Sequence, residues 1–463
     1  MTVSLSFHGA AGTVTGSRHL IRSADRTVLL DCGLFQGMKA LRQRNWEMPA
    51  FDPAEVDAVI LSHAHIDHSG YLPVLVQRGF AGRIYCTAAT AALVGLLLPD
   101  AAYLQEEEAA RANRHGYAKH KPALPLYTVD EAHRTLELLT PRVYHAPFQV
   151  VDGISAAFAR AGHILGSASV TVTVEALPNP VRIAFSGDLG RWGRPILRDP
   201  EPIREADVLL SEATYGDRAH GPDVDGDLSR VVRACAKRGG ALLIPAFAVG
   251  RTQELLWRLR TLEDAGEIPI LPVYVDSPMA IDATELYLEH TEEHDEEARR
   301  QFSGDGGRLR TKVFGTARTP SESKALNDVR GPVIIISASG MATGGRILHH
   351  LRLRLPDRRT TVLMSGFQGA GTRGRALQDG VETIRIHGQE IQVKATIETL
   401  DGMSAHADRN ELLRWFGEFE SRPRRTFLVH AEPRAAVAFR DAVTTELGWD
   451  VSVAADGRSV DLA

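Results

Sequence analysis

Short apolar segments rich in β-branched residues recur along the chain, and longer segments with helical spacing lie between them. Thr27–Asp31, Asp57–Leu61 and Val333–Ser337 have the length and composition of buried strands. Ala88–Asn113 and Gly250–Leu262 repeat apolar residues at intervals of about three to four, which predicts amphipathic helices. Alternation of the two kinds of element favours an α/β fold built from packed layers.

The proportion of predicted strands and helices changes twice along the sequence. Residues 1 to about 211 are strand-rich with long loops, residues of about 213–388 alternate strands and helices, and strand-rich sequence returns after about 390. This pattern allows two consecutive domains or one domain inserted into another. We also predict one helix over Ala280–Arg300 and a strand over Gln392–Ile397, and we expect the acidic run 292–297 to face solvent.

Composition restricts the class of protein. The 463 residues are 44% apolar and 24% charged, which is typical of globular domains. Three distant cysteines (Cys32, Cys86 and Cys235) exclude a disulfide framework and C-x-x-C zinc pairs. The first residues lack the pattern of a signal peptide, and we expect no stretch to approach the ~18 apolar residues of a membrane span. A soluble cytoplasmic protein without a membrane partner is therefore expected.

The strongest local signal is the run 62–68, Ser-His-Ala-His-Ile-Asp-His, which directly follows the predicted strand Asp57–Leu61. A turn at a strand end can direct its three imidazoles and one carboxylate toward a single point. These groups suit zinc, with manganese or iron as alternatives if oxygen ligands increase. The spacing therefore predicts a metal site.

One run cannot complete two metal shells, so further ligands are expected at other strand ends. His163 lies in a glycine-flanked loop, Asp188 follows a predicted strand, and His430 ends another strand. Each position taken alone is more typical of a structural role. Together with the run 62–68, they become candidate ligands.

These residues, in this order, resemble the series of the metallo-β-lactamase fold, and Asp31 matches the first motif of that fold. Beyond the fold, the segment around Glu212 resembles acidic motif A of the β-CASP branch. His406 matches its motif B and His430 its motif C. The blocks 245–251, 276–280 and 337–341 also look like family blocks, so the resemblance covers nearly the whole chain. The chain is similar to bacterial β-CASP ribonucleases and to the 73-kDa endonuclease subunit of the mRNA 3′-end cleavage machinery.

The resemblance implies an architecture. An αββα sandwich of the metallo-β-lactamase fold would be formed by residues 1–212 and 389–463. An α/β β-CASP domain would be inserted between them, over residues 213–388.

The resemblance also implies two Zn²⁺ ions per chain, with Mn²⁺ as an alternative, and both would be held by one shared carboxylate, Asp188. The other ligands of the first ion would be His63, His65 and His163. The other ligands of the second ion would be Asp67, His68 and His430. Asp31 is interpreted as orienting a ligand imidazole, with support of the fold as the alternative.

A proton donor is expected for the leaving 3′-oxygen. A carboxylate beside an imidazole raises the pKa of the imidazole and holds it as a donor. We therefore hypothesise that His406 is the general acid and that Glu212 orients it.

Substrate contacts are expected from small-residue loops that follow apolar strands, because backbone N–H groups there can hold phosphate oxygens. Isolated glycine turns of this kind are also common as plain structure. The candidates are Ser339, Gly340, Ser365 and Gly366. Arg251 at the head of a helix could contact phosphate or staple the domains together.

The net charge weakly disfavours a polyanionic partner. The chain has 53 Lys and Arg and 58 Asp and Glu, which gives a net charge of −5. The distribution is uneven, however. Residues 346–385 hold eight arginines against three acids. Two interpretations explain this cluster equally well: a helix surface exposed to solvent, and a basic surface that follows an RNA backbone.

We expect hydrolysis of RNA phosphodiester bonds, endonucleolytic because no domain of the J type is recognised after the last motif. A 5′–3′ exoribonuclease of the same family is the main alternative. A small-molecule hydrolase would need neither the long insert nor the Glu212–His406 pair. DNA-processing relatives usually carry Val in place of His430, and filled ligand positions disfavour a non-catalytic partner. A homodimer is expected from the resemblance alone.

Overall fold

The structure is a computed structural model in which residues 3–117, 120–221, 224–303, 309–366, 368–369, 371–400 and 402–462 are described. The chain divides into two compact units. Unit 1 comprises Met1–Arg194, Arg198–Ala219 and His406–Ala463, and unit 2 comprises Pro195–Leu197 and His220–Ala405. Unit 2 therefore interrupts unit 1 along the sequence.

The first part of unit 1 is rich in strands. Its strands are β1 (Val3–Phe7), β2 (His19–Ser23), β3 (Arg26–Leu30), β4 (Ala58–Ile60), β5 (Arg83–Cys86), β6 (Leu139–Pro141), β7 (Phe148–Val151), β8 (Ile154–Arg160), β9 (Ala168–Val174), β10 (Val181–Phe185) and β11 (Val208–Glu212). Its helices are α1 (Lys39–Gln43), α2 (Ile66–Ser69), α3 (Leu72–Gln77), α4 (Ala88–His115) and α5 (Val129–Leu136).

Unit 2 alternates helices and strands. Its helices are α6 (Val224–Arg238), α7 (Arg251–Asp264), α8 (Pro278–Glu289), α9 (Glu296–Phe302), α10 (Pro320–Ala325), α11 (Ile347–Arg354) and α12 (Arg373–Gln378). Its strands are β12 (Ala241–Pro245), β13 (Pro272–Val275), β14 (Val313–Thr316), β15 (Val333–Ser337), β16 (Thr361–Met364), β17 (Thr383–Ile386), β18 (Gln389–Gln392) and β19 (Thr396–Thr399).

The chain returns to unit 1 with α13 (Arg409–Phe416), β20 (Arg425–Val429), α14 (Pro433–Leu447), β21 (Val451–Val453) and β22 (Ser459–Asp461). Two seven-stranded sheets result. The first has the strand order β22-β1-β2-β3-β4-β5-β6, and the second has the order β21-β20-β11-β10-β9-β8-β7. Apolar side chains of both sheets, such as Phe7, Ile60, Val170 and Phe185, form one core.

The second sheet brings candidate site residues together because its central strands β10, β11 and β20 are parallel. The carboxyl ends of parallel strands meet at one edge of a sheet. Asp188 follows β10, Glu212 ends β11 and His430 follows β20. These strands are buried on both faces, which explains their nearly continuous apolar sequences.

Unit 2 contains a six-stranded sheet with the order β14-β13-β15-β12-β16-β19, in which every recorded pairing is parallel. The loops that follow β12, β13, β15 and β16 therefore leave the same edge. Buried residues such as Leu243, Ile335, Leu351 and Met364 form a core of this unit.

The structure differs from three sequence predictions. The helix predicted over Ala280–Arg300 is divided into α8 and α9, because the segment between them is drawn inward. There Glu293 and His294 are buried, so the acidic run does not face solvent throughout. The strand predicted over Gln392–Ile397 divides into the ends of β18 and β19. Strand β19 pairs with β16 and therefore belongs to unit 2, which extends to Ala405. The division of the domains at residue 388 stays a prediction.

Helix α4 corrects another expectation. By length and composition alone it could cross a membrane, with a mean hydropathy of 1.3 over its best 18-residue window. Core helices of soluble proteins pass the same test. Here 39% of the window is buried, and Leu93, Val94 and Leu98 are among the buried residues.

A second cluster of buried apolar residues in unit 1 includes Phe416, Phe439 and Trp449, and removal of one large side chain tests its importance. Phe416 is fully buried, and its ring centroid lies 5.2 Å from those of both Phe439 and Trp449. Phe416→Ala is expected to lower the free energy of unfolding by about 3–5 kcal/mol because it leaves a cavity. Urea unfolding of the purified protein measures this change. Val143→Ala, at a side chain that is 70% exposed, serves as the control and should stay within about 0.5 kcal/mol. A loss of less than about 1 kcal/mol for Phe416→Ala would contradict the prediction.

Candidate metal centre

The histidine-rich run leaves β4 and immediately enters the short helix α2. His63 and His68 are buried, and His65 occupies the position before the helix begins. The ring nitrogens His63 Nε2 and His65 Nδ1 are 3.1 Å apart. The turn therefore directs these side chains toward one place, as the spacing predicts.

His63, His65, His163 and Asp188 form the first donor set. One ligand atom from each lies within 4.8 Å of all the others. His163 Nε2 is 3.2 Å from His65 Nδ1, and Asp188 Oδ2 is 3.5 Å from His63 Nε2. The loop that follows β8 thus brings His163 to the run from β4.

Asp67, His68 and His430 form the second donor set. His430 Nε2 lies 3.2 Å from His68 Nε2 and 3.4 Å from Asp67 Oδ2. Asp188 stands between the two sets, since its Oδ1 is 3.3 Å from His68 Nε2 and 3.4 Å from His430 Nδ1. One carboxylate therefore faces both groups of imidazoles.

Burial and neighbouring charges set the protonation of these groups. Burial lowers the pKa of His63 well below its ordinary value and lowers that of His65 to about 4, so both rings are neutral at pH 7. Neutral imidazole offers the lone pair that a metal ligand needs. Burial opposes ionisation of Asp188, but His430, His68 and other imidazoles hold the pKa of that carboxyl well below its usual range.

Asp31 lies behind the second donor set. Its Oδ2 is 2.7 Å from His68 Nδ1, which leaves His68 Nε2 facing His430. The carboxylate also accepts hydrogen bonds from the Ser17 hydroxyl and from the Ser62 backbone and hydroxyl. Such an outer partner fixes the tautomer and orientation of a ligand ring. Burial lowers the pKa of His68, but Asp188 and Asp31 outweigh it and raise that pKa well above the ordinary value.

His406 and Glu212 lie beside the donor sets. His406 Nδ1 is 3.1 Å and 3.2 Å from the two Glu212 oxygens. Glu212 is fully buried and also accepts from the Leu189 backbone N–H at 2.6 Å. Burial alone would lower the pKa of His406, but the Glu212 and Asp188 carboxylates raise it to about 9. The imidazole is therefore a cation held beside a carboxylate.

Local backbone contacts place His406. The Ala407 N–H donates to the Leu189 carbonyl at 2.8 Å, which ties this segment to the loop that carries Asp188. Asp408 then caps α13 in a reciprocal arrangement with Glu411. A loop contact at Ala407 and a helix cap at Asp408, directly after His406, thus fix the position of His406.

Comparison with protein-family models divides the chain into three matches. Residues 12–222 match the metallo-beta-lactamase superfamily, residues 252–377 match the Beta-Casp domain, and residues 390–454 match the Zn-dependent metallo-hydrolase RNA specificity domain. Ribonuclease TTHA0252 of Thermus thermophilus is 37% identical over 454 residues, which cover 98% of each protein. The chain belongs to the β-CASP ribonuclease family.

Other members of the β-CASP family match over similar lengths. The transcription termination factor FttA of Methanocaldococcus jannaschii is 30% identical over 95% of this chain and 69% of that protein. An RNase J-like protein of the same organism is 29% identical over 94% of both. A crystal structure of a protein of unknown function from Enterococcus faecalis shares the fold, with a TM-score of 0.55 at 15% identity over the full length of both chains.

The family assignment confirms the predicted fold class, a metallo-β-lactamase domain interrupted by a β-CASP insert, and the prediction of a hydrolytic enzyme. The donors present fit the metal that such a hydrolase uses. Imidazole nitrogens and carboxylate oxygens are ordinary zinc ligands. Asp188 Oδ1 is buried and accepts no hydrogen bond among the described residues, so it has capacity for a cation.

The five substrate-contact candidates lie together in unit 2, around the loops at the carboxyl edge of its parallel sheet. The Arg251 guanidinium donates to the Ser365 carbonyl and lies close to Gly366. Gln368, a residue not among the candidates, joins two of the loops by donating to the carbonyls of Gly340 and Gly366 at 3.0 Å and 3.1 Å. Arg251 therefore holds loops within unit 2 together, a contact that neither of its two predicted roles describes.

Several arginines of the basic cluster have structural partners. Arg346 donates to Asp276 and to the Ala317 carbonyl, both at 2.8 Å, and Arg354 donates to the Leu326 carbonyl at 2.7 Å. Arg359 and Arg375 form ion pairs with nearby aspartates. The local excess of positive charge thus overstates what this segment presents to solvent.

Thr214 is a site residue that the sequence analysis missed. Its hydroxyl donates to the His430 carbonyl at 3.0 Å and lies 3.2 Å from His430 Nδ1, and its backbone N–H donates to Glu212 at 3.3 Å. Its place two residues after Glu212 was the available signal.

Asp31 and His430 also have positive φ, 58° and 46°, a conformation that is uncommon for residues other than glycine.

Glycines lock the loops that carry the ligands, and Gly190 provides a test. A Cβ atom there would lie 1.9 Å from the Gly162 carbonyl oxygen and 2.6 Å from the His163 backbone nitrogen. Gly190→Ala must therefore displace the His163 loop or the Asp188 loop. We expect it to lower the amount of zinc that survives dialysis and to cost about 1–3 kcal/mol of stability. Elemental analysis and urea unfolding measure the two effects.

Gly95→Ala is the matched control, because a Cβ at Gly95 meets nothing within 4 Å and the residue lies inside α4. This variant should keep the zinc content and gain up to about 1 kcal/mol of stability. Equal zinc content and stability in Gly190→Ala and the unaltered protein would show that the glycine contact does not hold the loops.

Proposed function

We propose that the protein hydrolyses RNA with two metal ions, and that it cleaves internal phosphodiester bonds in RNA processing or decay. The observation that carries the proposal is the pair of neighbouring donor sets with Asp188 between them, and the His406–Glu212 pair beside them. Membership of the β-CASP ribonuclease family supports RNA as the substrate class.

The residues divide the work between binding and proton transfer. His63, His65 and His163 would hold one Zn²⁺, Asp67, His68 and His430 would hold the other, and Asp188 would serve both. Bound there, two metals would supply Lewis-acid activation of water and would neutralise charge on the phosphate. Asp31 keeps the His68 ring turned so that Nδ1 faces Asp31 and Nε2 faces the centre.

His406 is proposed to protonate the leaving 3′-oxygen. Glu212 holds Nδ1, so the proton on Nε2 is the one that can be transferred. The His406 side chain is 20% exposed whereas Glu212 is fully buried, so the imidazole is the member of the pair that a substrate can reach. Burial lowers the pKa of His406 and the Glu212 carboxylate raises it, and that carboxylate holds the imidazole as a proton donor.

Each of these groups acts on the scissile phosphate or on its leaving oxygen. The reaction can therefore be completed at an internal bond, without a free end. Endonucleolytic cleavage is therefore proposed over the 5′–3′ exonuclease mode.

A circular RNA labelled internally tests the proposal, in parallel with a linear RNA of the same sequence labelled at its 5′ end. We expect the circle to be opened, activity to be lost after chelation, and zinc to restore it at two ions per chain. Elemental analysis of the reconstituted protein gives the stoichiometry.

Each outcome separates one part of the proposal. A circle that stays intact while the linear RNA releases mononucleotides would favour the exonuclease mode. Full activity with one ion per chain would overturn the two-metal mechanism. Cleavage of neither RNA would overturn the proposed activity.

Replacing His406 tests its assignment as general acid. His406→Ala is expected to lower kcat on ordinary RNA by about 10²–10⁴-fold, a range typical for removal of a general acid, while both zinc ions remain bound. A substrate with sulfur in place of the leaving 3′-oxygen should be cleaved at close to the normal rate, because a thiolate leaves without a proton. His133→Ala, at an exposed histidine of α5, should match the unaltered enzyme. An equal loss on both substrates would remove His406 from this role.

A further inference from the structure

A segment of unit 1 carries exposed apolar and basic side chains directly beside the histidine-rich run. Met38, Trp46 and Met48 are 72%, 56% and 68% exposed, which is unusual for large apolar residues. Lys39 and Arg42 are also exposed. We call the surface formed by Met38, Lys39, Arg42 and Trp46 the Trp46 face.

The backbone explains why these side chains lie together. Helix α1 continues into turns in which the N–H groups of Asn45, Trp46 and Glu47 each donate to the carbonyl three residues earlier. Residues one turn apart are neighbours on such a surface. Lys39, Gln43 and Trp46 are spaced by one turn, and Met38 and Arg42 form the adjacent row.

The Trp46 face is held in place by buried contacts on its inner side. Asn45 is 6% exposed and pairs with both backbone groups of Phe35, at 2.9 Å and 2.8 Å. Arg78 donates to the carbonyls of Trp46 and Glu47 at 3.2 Å and 2.6 Å. A fixed surface loses little conformational entropy on binding, which favours a binding role for the exposed side.

The charge of the face favours a polyanion. Arg44 lies over the Phe35 ring and pairs with both oxygens of Asp456, so its charge is compensated. Lys39 and Arg42 remain as exposed cations against one exposed acid, Glu47. Exposed indole beside exposed cations is the combination that binds single-stranded nucleic acid, with a base on the ring and phosphates on the cations.

The face is close enough to the metal centre to hold the same strand. Asn45 contacts Phe35, and the neighbouring Leu34 N–H donates to the carbonyl of Ile66 inside the histidine-rich run at 2.9 Å. This path limits the separation of Trp46 and the run to roughly 25 Å between Cα atoms. A few nucleotides of a single strand cover that span.

We propose, building on the proposed ribonuclease function, that the Trp46 face binds the single-stranded RNA substrate a few nucleotides from the scissile bond. One base stacks on the Trp46 indole, and Lys39 and Arg42 contact flanking phosphates. The contact is independent of sequence, because every base presents a stacking face.

Binding of a fluorescent 20-nucleotide single-stranded RNA tests this, measured by anisotropy over a series of salt concentrations. All variants carry His406→Ala so that the RNA stays intact. Trp46→Ala should raise Kd at least about 5-fold, which is the lower end of what stacking of a base on an aromatic side chain contributes, while Trp46→Phe should stay close to the parent. Lys39→Gln with Arg42→Gln should reduce the slope of log K against log salt by about 1.4, and Trp46→Ala should leave that slope unchanged.

Two controls match these variants in kind and exposure. Tyr103→Ala removes an aromatic ring that is 54% exposed but lies on α4 beside Glu106 and Glu107. Arg422→Gln with Arg424→Gln removes two exposed cations that precede β20, at the opposite end of the strand from His430. Both should bind RNA like the parent.

A cleavage assay separates this contact from the chemistry. With His406 intact, Trp46→Ala should raise KM for long single-stranded RNA and leave hydrolysis of bis(p-nitrophenyl) phosphate unchanged. Unaltered RNA affinity in Trp46→Ala, an equal loss on the small substrate, or a change in oligomeric state instead of RNA affinity would overturn the proposal. Because binding is measured without cleavage, failure of the proposed activity would leave this test standing.

Discussion

The Asp188 carboxylate is the constraint on which the active edge of unit 1 depends. It is 2% exposed and lies within 4 Å of ring nitrogens from His63, His68, His163 and His430. A buried charge is costly unless it is paired. Every imidazole around it must therefore be held in a set orientation, and the surrounding hydrogen bonds and loop contacts serve that end.

The orientations of these imidazoles are fixed by strands that also form the core of unit 1. The geometry of the site therefore depends on the packing of the fold. Parallel strands β10, β11 and β20 carry Asp188, Glu212 and His430 to one edge, and β4 carries the histidine-rich run. Side chains that begin at strand ends move little, because the strands themselves are buried on both faces. The loops between them are then tied by close backbone contacts in which glycine is required, as at Gly33 against the Asp67 carbonyl.

What the sequence could predict followed from spacing and from strand ends, and what it could not predict followed from packing between distant segments. The run 62–68 and the strand-end positions of Asp188 and His430 were visible as local patterns. The hydroxyl of Thr214 and the clamp between Asn45 and Phe35 depend on contacts with other parts of the chain. For the same reason, the acidic run 292–297 was predicted to face solvent. The burial of Glu293 and His294 depends on their neighbours in unit 2, and the composition of the run does not indicate it.

Folding of unit 1 and metal binding are coupled by the same geometry. Asp31 and His430 occupy positive φ, and such backbone conformations cost on the order of 1–3 kcal/mol each. Asp188 Oδ1 is also buried without a hydrogen-bond donor among the described residues, where water cannot satisfy it. A cation that binds only the folded state offsets both costs, and at a concentration 100-fold above its Kd it contributes about 2.7 kcal/mol. A metal ion held by these donors would thus stabilise the strained edge of the sheet.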